Sequence, residues 1–107
     1  MTLRKYRWSR SYESAEEELV RLLEAKAIHA ERWVGEEYES YEPHKHPKDK
    51  QLWCVEGSIE FTINGKSISL QAGDGLDIPA HTTHSAVAGF SGVVCYESPP
   101  LNENPSI

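Results

Sequence analysis

Five histidines occur in the chain, and four of them fall into two close pairs, His44 with His46 and His81 with His84. Neutral imidazole is a good ligand for zinc and other first-row transition metals, and two imidazoles on one wall can share one ion. Side chains alternate between the faces of a β-strand. His44 and His46, two apart on the strand predicted over Glu39–His46, therefore point to the same side. An ordinary surface pair has the same spacing. Glu42 shares that parity, which makes it a candidate to orient a ligand or to act as a general base, with solvent exposure at the strand start as the alternative. His29, beside Ala30 on the first predicted strand, is read as structural. The chain has no Ser-His-Asp order and no zinc-finger spacing. Gly73-Asp74-Gly75 is a turn without a following helix, so it is not a phosphate-cradling loop.

A scaffold must hold these side chains in place. Ser14-Ala15-Glu16-Glu17 is a capping box, and Leu19, Leu22, Leu23 and Ala27, widened by Val20, follow at helical spacing. One amphipathic helix is predicted from this box up to Ala25–Ala27. After Ala27 the period shortens from about 3.6 to about 2. Ile28–Tyr38, interrupted at Gly35, and Glu39–His46 are predicted strands, followed by Gln51–Glu56. Ile59, Phe61 and Ile63 then alternate with polar residues up to Asn64-Gly65, a type I′ hairpin signal, and Ile68 and Leu70 continue on the returning strand. Leu76 and Ile78 lead into Pro79, and Ser85–Phe90 and Val93–Glu97 are the last predicted strands. Short strands between closely spaced turns indicate a sandwich or barrel. Residues 1–27 thus form an N-terminal segment with the helix, 28–98 the barrel, and 99–107, with three prolines, a flexible C-terminal tail. Tyr38, Tyr41, Trp33 and Trp53 are the aromatics expected to line the barrel or a subunit contact.

The 107 residues suffice for one domain, and with 38% hydrophobic and 26% charged residues the composition is that of a hydrophilic globular protein. Eleven Lys and Arg against 17 Asp and Glu give a net charge of −6, a balance that repels polyanions. Arg4, Lys5, Arg7 and Arg10 form a basic cluster, but Glu13, Glu16, Glu17 and Glu18 dilute it at once, so no nucleic-acid partner is expected. No apolar run is long enough for a membrane span or a signal-peptide core, so no membrane partner is expected and the cytoplasm is the expected compartment. Cys54 and Cys95 lack a CxxC arrangement, which suits two buried thiols in a reducing environment.

Two longer motifs surround the histidines. His44-Lys45-His46-Pro47-Lys48-Asp49-Lys50-Gln51-Leu52-Trp53-Cys54-Val55-Glu56-Gly57 resembles the first conserved motif of the cupins. Gly73-Asp74-Gly75-Leu76-Asp77-Ile78-Pro79-Ala80-His81-Thr82-Thr83-His84 is similar to their second, and Asn64-Gly65 falls where the inter-motif hairpin belongs. The resemblance covers Glu39 to Glu97. It implies an all-β fold, a cupin jelly-roll β-barrel to which the N-terminal α-helix is added. It also implies one divalent transition metal (Zn, Ni, Fe, Mn or Cu) held by His44, His46 and His84. The family's fourth ligand, a glutamate, is missing. Either Gln51 or Lys50 takes its place, and Gln51 is preferred because an amide oxygen can ligate and an ammonium cannot; Trp53 and Val55 would then point inward beside it. His81 stands where the second motif often has glycine, and it reads as a further ligand or proton shuttle, or as an exposed turn residue.

With only neutral ligands, a divalent ion keeps its full charge, so the resemblance implies a locally cationic pocket that favours anionic ligands, with Lys48 or Lys50 at its rim. The implied function is to act on or sense a small polar or anionic metabolite such as a sugar acid, as a metal-dependent isomerase, lyase or dioxygenase or as a non-catalytic binder. A metal-free degenerate barrel is the third alternative. So small a barrel is expected to pair as a homodimer.

Overall fold

A computed structural model describes residues 1–10 and 14–98. The expected tail at 99–107 lies outside the described residues. Seven antiparallel strands are joined in one hydrogen-bonded sheet: β1 (Arg4–Arg7), β2 (Glu31–Gly35), β3 (Ser40–His44), β4 (Lys50–Ile63), β5 (Lys66–Gln71), β6 (Asp74–Ile78) and β7 (His84–Ser98). Among the described residues the one helix, α1 (Ala15–Ala25), lies between β1 and β2 in sequence. The architecture is the expected jelly-roll barrel, with β4 and β7 as its longest pair and β1-β6-β4-β7-β2 as the main strand order. Among the described residues, no helix is long and apolar enough to cross a membrane.

The sheet buries both faces. Leu52, Cys54, Ile59, Phe61, Leu76, Val93 and Cys95 fill the barrel interior. Trp53, Val55 and Val94 project from the other face of β4 and β7, and the helix covers them with Ala15, Leu19 and Leu23. Residues at i, i+4 and i+8 share one helix face, which is why this stripe is buried while Leu22 is exposed. Glu16 fixes the helix laterally, accepting from Arg32 Nε and from the Tyr96 hydroxyl, each at 2.6 Å. The bond from Arg32 is the largest reason the Glu16 carboxyl is held below its ordinary range. Ser14 is the N-cap residue as expected, but its side chain makes no cap hydrogen bond. The three glutamates of the first turn meet the positive end of the helix dipole instead.

The N-terminal segment contributes more than a helix. β1 pairs with β6, and its basic residues are used there: Arg7 Nη1 lies 2.9 Å from Asp74 Oδ1 and Arg4 Nη2 lies 3.3 Å from Asp77 Oδ2. Asp74 and Asp77 are both buried, so these contacts offset the cost of burying their charge. Burial, with Asp77 nearby, pushes the Tyr6 hydroxyl up to about 12.

Two pairs of predicted strands turn out to be single bent strands. β4 runs through Gly57 and β7 through Gly92, with register shifts between Cys54/Glu56 and between Gly57/Ile59. Gly57 has φ +71° and Gly92 has φ +77°, and a Cβ built on Gly57 would overlap the Gly92 carbonyl oxygen. Only glycine permits that backbone contact at the bend. The hairpin at Asn64-Gly65 has positive φ at both positions, +52° and +76°, as a type I′ turn requires. Cys54 and Cys95 are direct cross-strand partners, and both are buried free thiols. Hydrogen bonding with Cys54 and burial push the Cys95 thiol strongly upward, so it stays protonated and unreactive.

Candidate metal centre

Three chain segments bring His44, His46 and His84 together at one end of the barrel. His44 ends β3 and His84 begins β7, and the two are register partners. His46 stands two residues beyond β3, in the connection to β4, not on the strand itself. One potential ligand atom from each residue lies within 4.8 Å of the other two. The ring centroids are 4.3 Å apart for His44 and His84, 5.0 Å for His44 and His46, and 5.3 Å for His46 and His84.

Backbone carbonyls orient two of the rings. His44 Nδ1 is 2.8 Å from the Glu42 carbonyl oxygen, and His84 Nδ1 is 2.9 Å from that of Thr82. A carbonyl can only accept, so Nδ1–H donates in each case and Nε2 is left with its lone pair free for a metal. Desolvation by burial is the leading cause that lowers the pKa of both His46 and His84, and the neighbouring imidazoles add to it. Both rings are therefore neutral at pH 7, the form that ligates. The donor set fits a divalent ion: three converging imidazoles, two of them with Nδ1 committed to a backbone carbonyl.

The two histidine-bearing loops are tied to each other. The His81 backbone N–H donates to the His46 carbonyl at 2.8 Å, and the Ala80 N–H donates to Asp49 Oδ1 at 2.7 Å. His81 has φ +61°, which explains why glycine often stands at the corresponding place in the motif it resembles. Its side chain is exposed and outside the three-histidine group, so its part in the site is played by its backbone. His81→Gly is expected to keep the melting temperature and metal affinity of the wild type. His81→Val forces a β-branched residue into the left-handed region and should cost about 1–2 kcal/mol in chemical denaturation.

The fourth candidate ligand requires a correction. Gln51 does not face the histidines; its amide nitrogen donates to Asp77 Oδ1 at 3.1 Å on the opposite face of β4. Lys50 and Leu52 face the cavity instead, and Trp53 and Val55 lie beneath the helix. The bulge between Cys54 and Glu56 is the cause. Counting back by twos from Ile59 would select Gln51, but the extra residue shifts the inward set to Cys54, Leu52 and Lys50. A similar irregularity between Tyr41 and His44 turns the Glu42 side chain outward, so Glu42 serves the site through its carbonyl and its carboxylate is exposed.

The histidines open onto a cavity of about 380 Å³, a size suited to a small metabolite. Trp33 and Tyr41, in edge-to-face contact at 5.7 Å, form part of its wall. Tyr38 is exposed and Trp53 is buried elsewhere. The charge distribution also differs from the expected cationic pocket, because Glu31, Glu39 and Glu97 line the cavity along with Lys50. Glu97 opposes Glu31 across β2 and β7 and lies close enough to His46 to raise its proton affinity, against the lowering effect of Lys50. His29 is exposed and outside this site.

The measurable pH effect follows from the two lowered histidines. In the unfolded chain an imidazole takes up its proton near pH 6.5, whereas folded His46 and His84 resist until lower pH. Their contribution to stability is complete above about pH 6.5 and is lost as pH falls below it. Thermal melts of metal-free protein should therefore show a steeper acid-side loss for the wild type than for His84→Gln, with no difference in slope above pH 7.

An antiparallel jelly roll with a three-histidine cluster at the mouth of a small cavity defines a class of barrel proteins. The cupin-domain family Cupin_2 matches residues 28–95, and the chain belongs to that family. The chain is similar to a DUF861 family protein from Thermotoga maritima, 13% identical over 92% of this chain and 100% of that chain, with a TM-score of 0.64. An RmlC-like cupin from Shewanella frigidimarina is 25% identical over 68% of this chain and 67% of that one, with a TM-score of 0.59. KdgF from a Halomonas species is 26% identical over 66% of this chain and 79% of that one, with a TM-score of 0.50. No curated protein sequence matches the chain.

Proposed function

We propose that this cupin binds one divalent transition metal through His44, His46 and His84 and acts on or senses a small polar or anionic metabolite, such as a sugar acid, in the adjoining cavity. The convergence of three imidazoles, two with Nδ1 committed to carbonyls, carries the reading. A bound ion supplies Lewis acidity toward a carbonyl or hydroxyl oxygen. Trp33 and Tyr41 provide an apolar wall against which a metabolite can be oriented, and their bulk displaces water there. Glu97, half-buried and lining the cavity, replaces Glu42 as the carboxylate placed to exchange a proton with a ligand. Elemental analysis followed by a screen of sugar acids, keto acids and diketones tests this reading. Turnover identifies an isomerase, lyase or dioxygenase, whereas a ligand-induced rise in melting temperature without turnover identifies a binder. Absence of both metal and ligand binding contradicts the proposal.

One observation favours a second reading, a metal-free anion-binding cavity: Lys50, one of the two residues that the motif offers in place of the family's glutamate ligand, lines the cavity. In that case His44→Ala leaves anion binding unchanged. The exposed side chains of Val34, Tyr38, Val87 and Phe90 support the homodimer, since pairing would remove them from water. Analytical ultracentrifugation giving a mass near the 12.1 kDa of one chain contradicts it. The facing free thiols Cys54 and Cys95 support a reducing compartment, for which we propose the cytoplasm.

A further inference from the structure

We infer that metal and a small carboxylate bind to this cavity synergistically, each raising the affinity for the other, and that Lys50 is the residue that couples them. The inference rests on the metal reading above and adds the ligand's charge requirement and its dependence on the metal.

The cavity's charges are incomplete without both guests. Lys50 lines the same cavity as the three histidines and is half-buried, yet among the described residues its ammonium has no ion-pair or hydrogen-bond partner. A divalent ion on three neutral imidazoles retains its full charge, so the metal-loaded site holds that ion beside an unpaired ammonium. This repulsion weakens metal binding, because two cations in one partly desolvated cavity are poorly screened from each other. A carboxylate between the ion and Lys50 is attracted to both and removes the penalty.

The converse follows from the other side chains. Without the metal, the cavity presents one ammonium against the carboxylates of Glu31, Glu39 and Glu97. An anion entering it meets a net negative lining and binds weakly until the charge of a divalent ion cancels that excess. The buried indole N–H of Trp33, another lining residue, lacks an acceptor among the described residues. A buried donor left unmatched costs free energy, and an acceptor oxygen of the guest is the kind of group that would satisfy it. The class this arrangement selects is a small carboxylic acid with a second oxygen on the neighbouring carbon, one oxygen for the ion and the carboxylate shared with Lys50. Thermodynamic linkage requires the two effects to be equal in size.

Isothermal titration with Zn²⁺ and glycolate tests the inference on the whole chain, with free Zn²⁺ held by a metal buffer so that complexation in solution is accounted for. Saturating glycolate should tighten Zn²⁺ binding about tenfold, and Zn²⁺ should tighten glycolate by the same factor, while neutral 1,2-ethanediol changes neither. Lys50→Met keeps the apolar stem and removes the charge. It should bind Zn²⁺ alone more tightly than the wild type does and lose the tightening by glycolate, with an unchanged thermal melt showing that the fold is intact. Zn²⁺ binding that is indifferent to glycolate, or a coupling that survives in Lys50→Met, overturns the inference and leaves the metal site standing. Failure of Zn²⁺ to bind with or without glycolate overturns the metal reading and the inference together. Glycolate binding to metal-free protein as tightly as to the loaded protein overturns the coupling in favour of a simple anion cavity.

Discussion

Replacing His44 by alanine is expected to weaken divalent-metal binding by at least about 100-fold, more than the 10–100-fold usual for losing an outer-shell partner of a ligand. The two remaining imidazoles cannot hold an ion as three do, because each lost bond returns to water a ligand position that the barrel had pre-organised. His44 is the informative choice of the three. It is exposed, and among the described residues its side chain hydrogen-bonds to the Glu42 carbonyl alone, so its removal spares the core. His84, by contrast, is 3% exposed and its ring lies 6.2 Å from that of Phe61, so its truncation would mix loss of a ligand with loss of packing. Calorimetric titration with Zn²⁺ alongside a thermal melt of the metal-free variant separates the effects. Affinity should collapse while the melting temperature stays within a few degrees of the wild type. Wild-type affinity in the variant would remove His44 from the site.

The largest loss of stability is expected at the bend of β4. Gly57→Ala places a methyl group onto the Gly92 carbonyl oxygen at a backbone φ of +71°. The left-handed conformation alone costs about 1–2 kcal/mol for a residue with a Cβ. The obstacle is backbone, not a movable side chain, so separating the strands adds an overpacking cost of about 1–3 kcal/mol. A combined loss of about 3 kcal/mol lowers the melting temperature by about 10–20 °C in a domain of this size. Gly65→Ala is the matched control, with φ +76° but no atom within 4 Å of the added Cβ. It should show the conformational cost only, about 1–2 kcal/mol. Equal losses in the two variants would mean that β4 and β7 are not in contact at Gly57 and Gly92.

Both bends also explain which parts of the site the sequence reveals. The histidine spacing, the glycine turns and the Asn64-Gly65 hairpin are local signals that indicate an all-β sandwich or barrel, and the resemblance to the two cupin motifs is what implies that His84 joins His44 and His46. What escaped is the face on which each residue of β4 lies. Leu52, Trp53, Cys54 and Val55 are all buried because the sheet is covered on one side by the barrel interior and on the other by the helix. Alternation is therefore lost where the choice between Lys50 and Gln51 is made. Only the bulge determines the parity, and a bulge depends on the pairing of β4 with β7, residues far apart in sequence. The two readings of Glu42 are separated by a related feature, the shifted register between Tyr41 and His44, which leaves its carboxylate in solvent. β1 was missed because a strand of four residues carrying three basic side chains has no apolar period. Its place is set by the buried Asp74 and Asp77, which no local pattern could have identified as its partners.

The carboxylates of the cavity were likewise invisible as a group. Glu31 and Glu97 meet only because β2 and β7 pair, and Glu39 reaches the same cavity from the residue before β3. Their presence changes the electrostatic account from a uniformly cationic pocket to one that is net negative until a divalent ion balances it.

The central claim is that the three histidines form one metal centre, and direct titration of metal-stripped wild-type protein with Zn²⁺ at pH 7.5 tests it. One ion per chain, bound saturably and displaced progressively as pH falls below about 6.5, is the predicted result. No saturable binding, with or without a carboxylate present, would contradict it.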